Sequence, residues 1–347
     1  MVRPFLAFLA CALPLLAGGA DAPILTMAGD FPLGAATNRI DYQSVDTAAR
    51  RLYIAKMGAG HLLVIDLTDN RVIAELPGFP KATGVLVVPE LHRIYVSVPG
   101  AGIGPSLGAA LGSIGLSSGS GAVAVLDSDS LKEIARLPAG VFPDGIAYAP
   151  RQQRIFITDE MGSAVTVVDA NRNAVLARID LGGEVGNVRY DPVSAMIYAP
   201  VQSRDELTVI DPDLLKVVAR HKLPGGKHPH GLLIAPGAAI GYVACDGNDR
   251  LLSVDLASGA VLDRKPLGHD PDVLDIDPAA NRLYVASESG ILSIFDIARP
   301  AAPAALGDMM IGDDAHSVAV DPQTHRLYFP LADQAGKAVL RLMQPPA

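Results

Sequence analysis

Arg282-Leu283-Tyr284-Val285-Ala286-Ser287, with Ile294-Phe295-Asp296 a few residues on, is one copy of a phrase that returns along the whole 347-residue chain. Its first half appears as Arg51-Leu52-Tyr53-Ile54, Arg93-Ile94-Tyr95-Val96, Arg154-Ile155-Phe156-Ile157, Met196-Ile197-Tyr198-Ala199, Ile240-Gly241-Tyr242-Val243 and Arg326-Leu327-Tyr328-Phe329. The aromatic positions are 42, 61, 42, 44, 42 and 44 residues apart, and the outlier carries an insertion of 19 residues within 97–121. The second half returns as Val64-Ile65-Asp66, Val125-Leu126-Asp127, Val167-Val168-Asp169, Val209-Ile210-Asp211 and Ser253-Val254-Asp255. A period just above 40, built from short β-branched runs, is the mark of a β-propeller with four strands per blade.

One unit shows how the strands are cut. Val188–Asp191, Met196–Pro200, Leu207–Asp211 and Val217–Lys222 read as strands. The first two are joined by the turn Asp191-Pro192-Val193-Ser194, where the proline sets φ. The carboxylate of Asp211 is placed to accept amides of the next turn. The repeated Arg before the aromatic reads as a solvated strand residue. Seven aromatics give seven blades, and the seventh runs out after Ala338–Met343. Its missing outer strand is expected from Ile24–Ala28, which then leads into Ile40–Val45 as the first strand of blade one. Such a closure ties the termini together and leaves no long open edge. The expected fold is all-β, a single seven-bladed β-propeller over residues 21–347 whose ring is closed by an N-terminal strand.

The first 20 residues read as a secretory signal peptide. Arg3 supplies a short basic start, Phe5 to Ala17 an apolar run of 13 residues, and Ala17-Gly18-Gly19-Ala20 the small residues of a cleavage region. The run is too short to span a bilayer as a helix. The expectation is a periplasmic or secreted protein with no membrane span. Removing the signal leaves one cysteine, Cys245, which reads as a buried small residue. That excludes an internal disulfide and any cysteine-based zinc or haem site.

Charge narrows the partners. Acidic residues outnumber basic ones 37 to 28, giving a net charge of −9, with 5% aromatics and no Trp. Nucleic acid, which needs clustered cations and stacking rings, is not an expected partner.

The Leu-Tyr-Val and Val-Ile-Asp phrases, with turns such as Phe142-Pro143-Asp144-Gly145-Ile146-Ala147 and runs such as Leu283-Tyr284-Val285-Ala286-Ser287, resemble the YVTN-repeat β-propeller family of exported bacterial proteins. The resemblance covers nearly all of the chain beyond residue 20. It implies a periplasmic or surface propeller and leaves the function open, since such blades carry many jobs. Members are similar to the propeller parts of nitrite and nitrous oxide reductases and, more distantly, to lactonases. The lack of Trp departs from the WD-repeat pattern and from quinoprotein dehydrogenase blades.

In a propeller the loops leading into each first strand share one face with the loops between second and third strands. Aligning the leading loops stacks one position per blade: Asp41, Thr83, Asp144, Gly186, His230, Asp272 and His316. The expected ligand-binding residues are Asp41, Asp144, His230, Asp272 and His316. His230, His316 and Asp272 are the candidate ligands of a single divalent metal ion, because carboxylates and imidazoles together suit such cations. His228, His269 and Asp270 lie in the same loops, and Lys56, His61, Asp159, Glu160, Asp246, Asp249 and Glu288 are expected on the rim. The competing reading is a ring of polar groups that bind their own loop amides or hold water. His92, His325 and His221 fall elsewhere and read as solvated.

The Gly/Ser-rich insertion 99–121 in blade two lies on this same face, as either a docking flap or an idle loop. It lacks the Lys-Ser/Thr ending of a phosphate loop. The functional expectation is therefore a non-catalytic binding or scaffold protein that takes a protein or small-molecule ligand at the channel mouth. The alternative is a metal-dependent lactonase-like hydrolase, in which a metal-bound water attacks an ester or lactone and Glu160 or Asp246 takes the proton.

Overall fold

The computed structural model describes residues 23–100 and 121–346. They form seven four-stranded antiparallel sheets, which makes the protein a seven-bladed β-propeller. Blades one to six are meanders in chain order: β2–β5 (Gln43–Asp46 to Arg71–Pro77), β6–β9 (Val85–Val88 to Glu133–Gly140), β10–β13 (Pro143–Ala149 to Ala174–Asp180), β14–β17 (Arg189–Asp191 to Lys216–Lys222), β18–β21 (Pro229–Ile234 to Val261–Pro266) and β22–β25 (Pro271–Asp277 to Ala304–Met310). The seventh sheet has the order β1-β28-β27-β26, so its inner three strands come from Ala319–Asp321, Arg326–Gln334 and Lys337–Gln344, and its outer strand from the N-terminal β1.

The closing strand runs over Thr26–Ala35, longer than the expected Ile24–Ala28. It keeps its hold on β28 through two bulges, between Met27 and Gly29 and between Pro32 and Ala35. Pro32 is tolerated because this is an edge strand with no further ladder to supply. Arg341 on β28 fastens the closure, its guanidinium lying 2.6 Å from Asp30 Oδ2 on β1.

The repeated residues do distinct jobs. Tyr53, Tyr95, Phe156, Tyr242, Tyr284 and Tyr328 are all fully buried. Each contributes roughly 1.5–3 kcal/mol of apolar burial to the seam between blades. Tyr198 and Tyr242 also cross a seam by hydrogen bond, from their hydroxyls to Leu256 O (3.3 Å) and Pro300 O (3.1 Å) of the next blade. The repeated Asp ends the third strand as a turn cap: Asp211 Oδ1 accepts from Asp213 N and Leu214 N, and Asp66, Asp127, Asp169, Asp255 and Asp296 do the same in their blades. The repeated Arg is more than a solvated residue. Arg51 donates to Ser128 O of blade two at 2.8 Å, and Arg154 to Pro212 O of blade four. Both tie one blade to the turn of its neighbour.

The core is divided by these seams. Tyr95, Val123 and Val125 of blade two pack with Ile146, Ile155 and Ile157 of blade three, while Phe156 and Val165 meet Ile197 and Val188 of blade four. Each sheet thus buries both faces against neighbours, and the innermost strands are left to line an axial channel. The expected signal peptide, residues 1–20, and residues 101–120 of the insertion 99–121 lie outside the described residues. Among the described residues no helix is long and apolar enough to cross a membrane.

Candidate functional site at the channel mouth

The loops leading into β2, β6, β10, β14, β18, β22 and β26 converge on one end of the channel. They approach closely because the residue after the aligned position is small in most blades. A Cβ on Gly84 would stand 2.0 Å from Asp144 O, and one on Gly231 2.3 Å from Asp272 O. Blade one departs from this pattern. There the following residue is Tyr42, which reaches across the axis into the space that the small residues leave.

The Tyr42 hydroxyl accepts from Asn187 Nδ2 of blade four at 2.8 Å and donates to Asp272 Oδ1 of blade six at 3.4 Å. His230 Nε2 of blade five lies 3.3 Å from both the Tyr42 oxygen and Asp272 Oδ1. These four side chains form a polar plug. Above it is a basin of about 360 Å³ at the mouth, and below it a chamber of about 620 Å³ that opens towards the turns Pro89-Glu90 and Asp191-Pro192. The chamber walls are mostly aliphatic, from Val85, Val87, Ile146, Val273 and Val318, with Arg189 and Asp275 as half-buried charges. Burial presses the Arg189 guanidinium below its usual range and raises the Asp275 carboxyl to about 6.

The basin is strongly acidic. Asp41, Asp144, Glu160, Asp246, Asp270, Asp272 and Glu288 line it, against Arg39, His228 and His230. Arg39 Nη2 is 2.8 Å from Glu288 Oε1 and 3.8 Å from Asp272 Oδ2, and its Nε is 3.8 Å from Asp41 Oδ2. Burial, then the charges of Glu160 and Asp41, hold the Asp144 carboxyl well above the ordinary carboxylate range. Glu160 is raised as well, chiefly by burial. Asp272 goes the other way: burial opposes ionisation, but the His230 hydrogen bond and the charges of His230, His316 and Arg39 win and lower it. His230 answers in kind, since burial lowers it but its bond to Asp272 and the surrounding carboxylates bring it to about 10.

His316 sits behind the floor of the basin, 1% exposed. Its Nδ1 donates to Asp314 Oδ1 and to Asp314 O, both at 3.0 Å. Its Nε2 faces Asp41 Oδ1 at 3.8 Å. Donor atoms of Asp41, Asp272 and His316 all come within 4.8 Å of one another, as do those of Glu288, Asp314 and His316. The second trio is already engaged, through Arg39 with Glu288 and Asp314 with His316. In the first trio Asp41 Oδ1 and His316 Nε2 have no hydrogen-bond partner among the described residues, while Asp272 is held by Tyr42 and His230.

The five expected residues are thus brought to one end of the channel, four on the basin surface and His316 beneath it. Of the expected metal trio, His316 and Asp272 come together with Asp41, while His230 is bound into the plug. Glu160, Asp246, Glu288, His228 and Asp270 line the basin, but four other rim residues do not. Lys56 turns outward to Leu33 O and Glu75, His61 joins the same Glu75, and Asp249 pairs with His269. Asp159 is wholly buried and accepts from Val141 N, Phe142 N and Gly162 N while pairing with Arg178. Its work is to brace a loop. His325 stays partly exposed and pairs with Asp277 at 2.7 Å. Arg39, Tyr42 and Asn187 were outside the sequence reading, because one position per blade was aligned and they stand two before it or one after it.

No protein-family model and no curated protein matches this chain. Among solved structures it is similar to a chain in the "Crystal Structure of Mitotic Checkpoint Complex", with a TM-score of 0.74 at 11% identity over 99% of each chain. At that identity the likeness concerns the fold alone.

Proposed function

We propose that this protein is an exported, non-catalytic binding propeller that takes a positively charged protein segment or small molecule at its channel mouth. One observation carries the reading: seven carboxylates line a basin that offers three basic side chains, with the propeller blades as low-dielectric walls that focus the field. Short loops among the described residues of the mouth suit recognition, because little order must be gained on binding. Membership of the YVTN-repeat group and export through residues 1–20 belong to this reading and rest on the repeat phrases and the apolar N-terminal run. Amide chemical shifts of the protein during titration with trilysine test it. Perturbations centred on Asp144, Glu160, Asp246 and Asp270 support the reading, and an unchanged mouth contradicts it.

A metal-dependent hydrolase of lactones or esters is the second reading, favoured by the open pair Asp41 Oδ1 and His316 Nε2. In that case Glu160, whose raised carboxyl lies on the basin wall, is placed as the general base.

A further inference from the structure

We propose that Asp41, Asp272 and His316 form a binding site for one small divalent transition-metal cation, with Zn²⁺ the best match, at the floor of the channel mouth. The proposal deepens the reading of the mouth as a place for positive charge and rests on it.

The argument begins with His316. Both partners of its Nδ1 are oxygen acceptors of Asp314, so Nδ1 carries a proton and Nε2 is the free side of the ring. A carboxylate that fixes the tautomer of an imidazole from behind is the usual outer support of a metal-binding histidine. Nε2 is turned to Asp41 Oδ1, at 3.8 Å. That is beyond hydrogen-bond reach. Neither atom has a hydrogen-bond partner among the described residues, though Asp41 is only 4% exposed and His316 1%. Burial lowers the His316 pKa, but its interactions with Asp314 and Asp41 and the charge of Asp272 bring it to about 10, so a cation held between Nε2 and Asp41 Oδ1 would replace the Nε2 proton.

Arg39 does not fill that role. Its guanidinium addresses the Oδ2 atoms of Asp41 and Asp272 and is committed to Glu288. The spacing does suit an ion. A cation about 2.1 Å from both atoms would see them at an angle of about 130°, and an approach of about 0.4 Å would make it tetrahedral. Asp272 supplies the third donor, within 4.8 Å of the other two. One imidazole and two carboxylates favour a borderline ion over Ca²⁺, which takes six to eight oxygens. Asp41 and Asp272 both line the basin, so a fourth position would face the mouth.

The test is calorimetric titration of the metal-stripped full chain with ZnCl₂ and, separately, CaCl₂, with trilysine binding to the same wild-type protein measured in metal-free buffer. The expected result is one equivalent of Zn²⁺, with affinity reduced more than about 100-fold in His316→Gln and about tenfold in the outer-support variant Asp314→Asn. Far-UV circular dichroism and melting check the fold of each variant. Broadening of the His316 ring resonances by Mn²⁺ in the wild type locates the ion without any substitution. No Zn²⁺ binding, binding that survives His316→Gln, or preference for Ca²⁺ overturns the proposal. Trilysine binding without Zn²⁺ binding would sink the metal site and leave the basin standing. Zn²⁺ binding without trilysine binding would do the reverse.

Discussion

Tyr42 of blade one and Asn187 of blade four meet across the axis of the propeller, with Asn187 Nδ2 donating to the Tyr42 hydroxyl at 2.8 Å. With Asp272 and His230 this contact forms the plug between the mouth basin and the chamber beneath. Tyr42→Phe removes the acceptor while keeping the ring, and it leaves the Asn187 amide without that partner in a buried place. The expected cost is about 1–3 kcal/mol of stability, read as a fall in denaturant midpoint at unchanged slope. An unchanged midpoint would mean that the plug contributes nothing to the fold.

His228 gives the pH dependence. Burial lowers its pKa, but the hydrogen bond and charge of Asp246 at 2.7 Å and of Glu184 at 3.3 Å outweigh it, so the net direction is up from 6.5. A pKa raised on folding contributes stability that is fully present below 6.5 and is lost as pH rises through the folded value. The melting difference between wild type and Asp246→Asn should therefore be largest in mildly acidic buffer and shrink on going alkaline. In NMR titration the His228 ring should titrate above 6.5 in the wild type and move down in the variant. A difference that grows with pH would contradict the assigned pair.

Cys245 ends β19 with no exposed surface, and burial pushes its thiol up to about 12. It packs with Leu252, Leu232 and Leu223 in the seam between blades four and five. Ellman's reagent should find no reactive thiol in the native protein at pH 8, and one per chain in denaturant. Rapid reaction of the native protein would place Cys245 outside the seam.

The fold was legible because the propeller repeats its physics. Each seam needs the same buried aromatic and six of the third strands end on the same capping Asp, so Tyr284 and Asp211 announce their blades. Strand ends were less legible. The closing strand was read as Ile24–Ala28, and bulges that let it continue past Pro32 to Ala35 leave no periodic signal. At the mouth, Asp41, Asp144, His230 and Asp272 could be found because the leading loops stack in register. Tyr42 could not, since its position is filled by Gly84, Gly145 and Gly231 elsewhere and only the assembled ring shows why one large side chain fits. Lys56 and Asp159 were misplaced for a related reason. They stand where second strands give way to tight turns, and there Lys56 reaches Leu33 O and Glu75 while Asp159 is used up on loop amides and Arg178 of its own blade.

The most direct test of the binding claim is the affinity of the protein for trilysine, and for triglutamate, as a function of NaCl. Carboxylates at a basin mouth are screened over about 10 Å at 0.1 M salt, so attraction of a cation must weaken as salt rises. The account predicts that trilysine binds, that its affinity falls steadily with NaCl and with Asp246→Asn, Asp270→Asn and Glu288→Gln combined, and that triglutamate does not bind. Equal binding of the two peptides, or trilysine binding indifferent to salt and to the triple substitution, would contradict it.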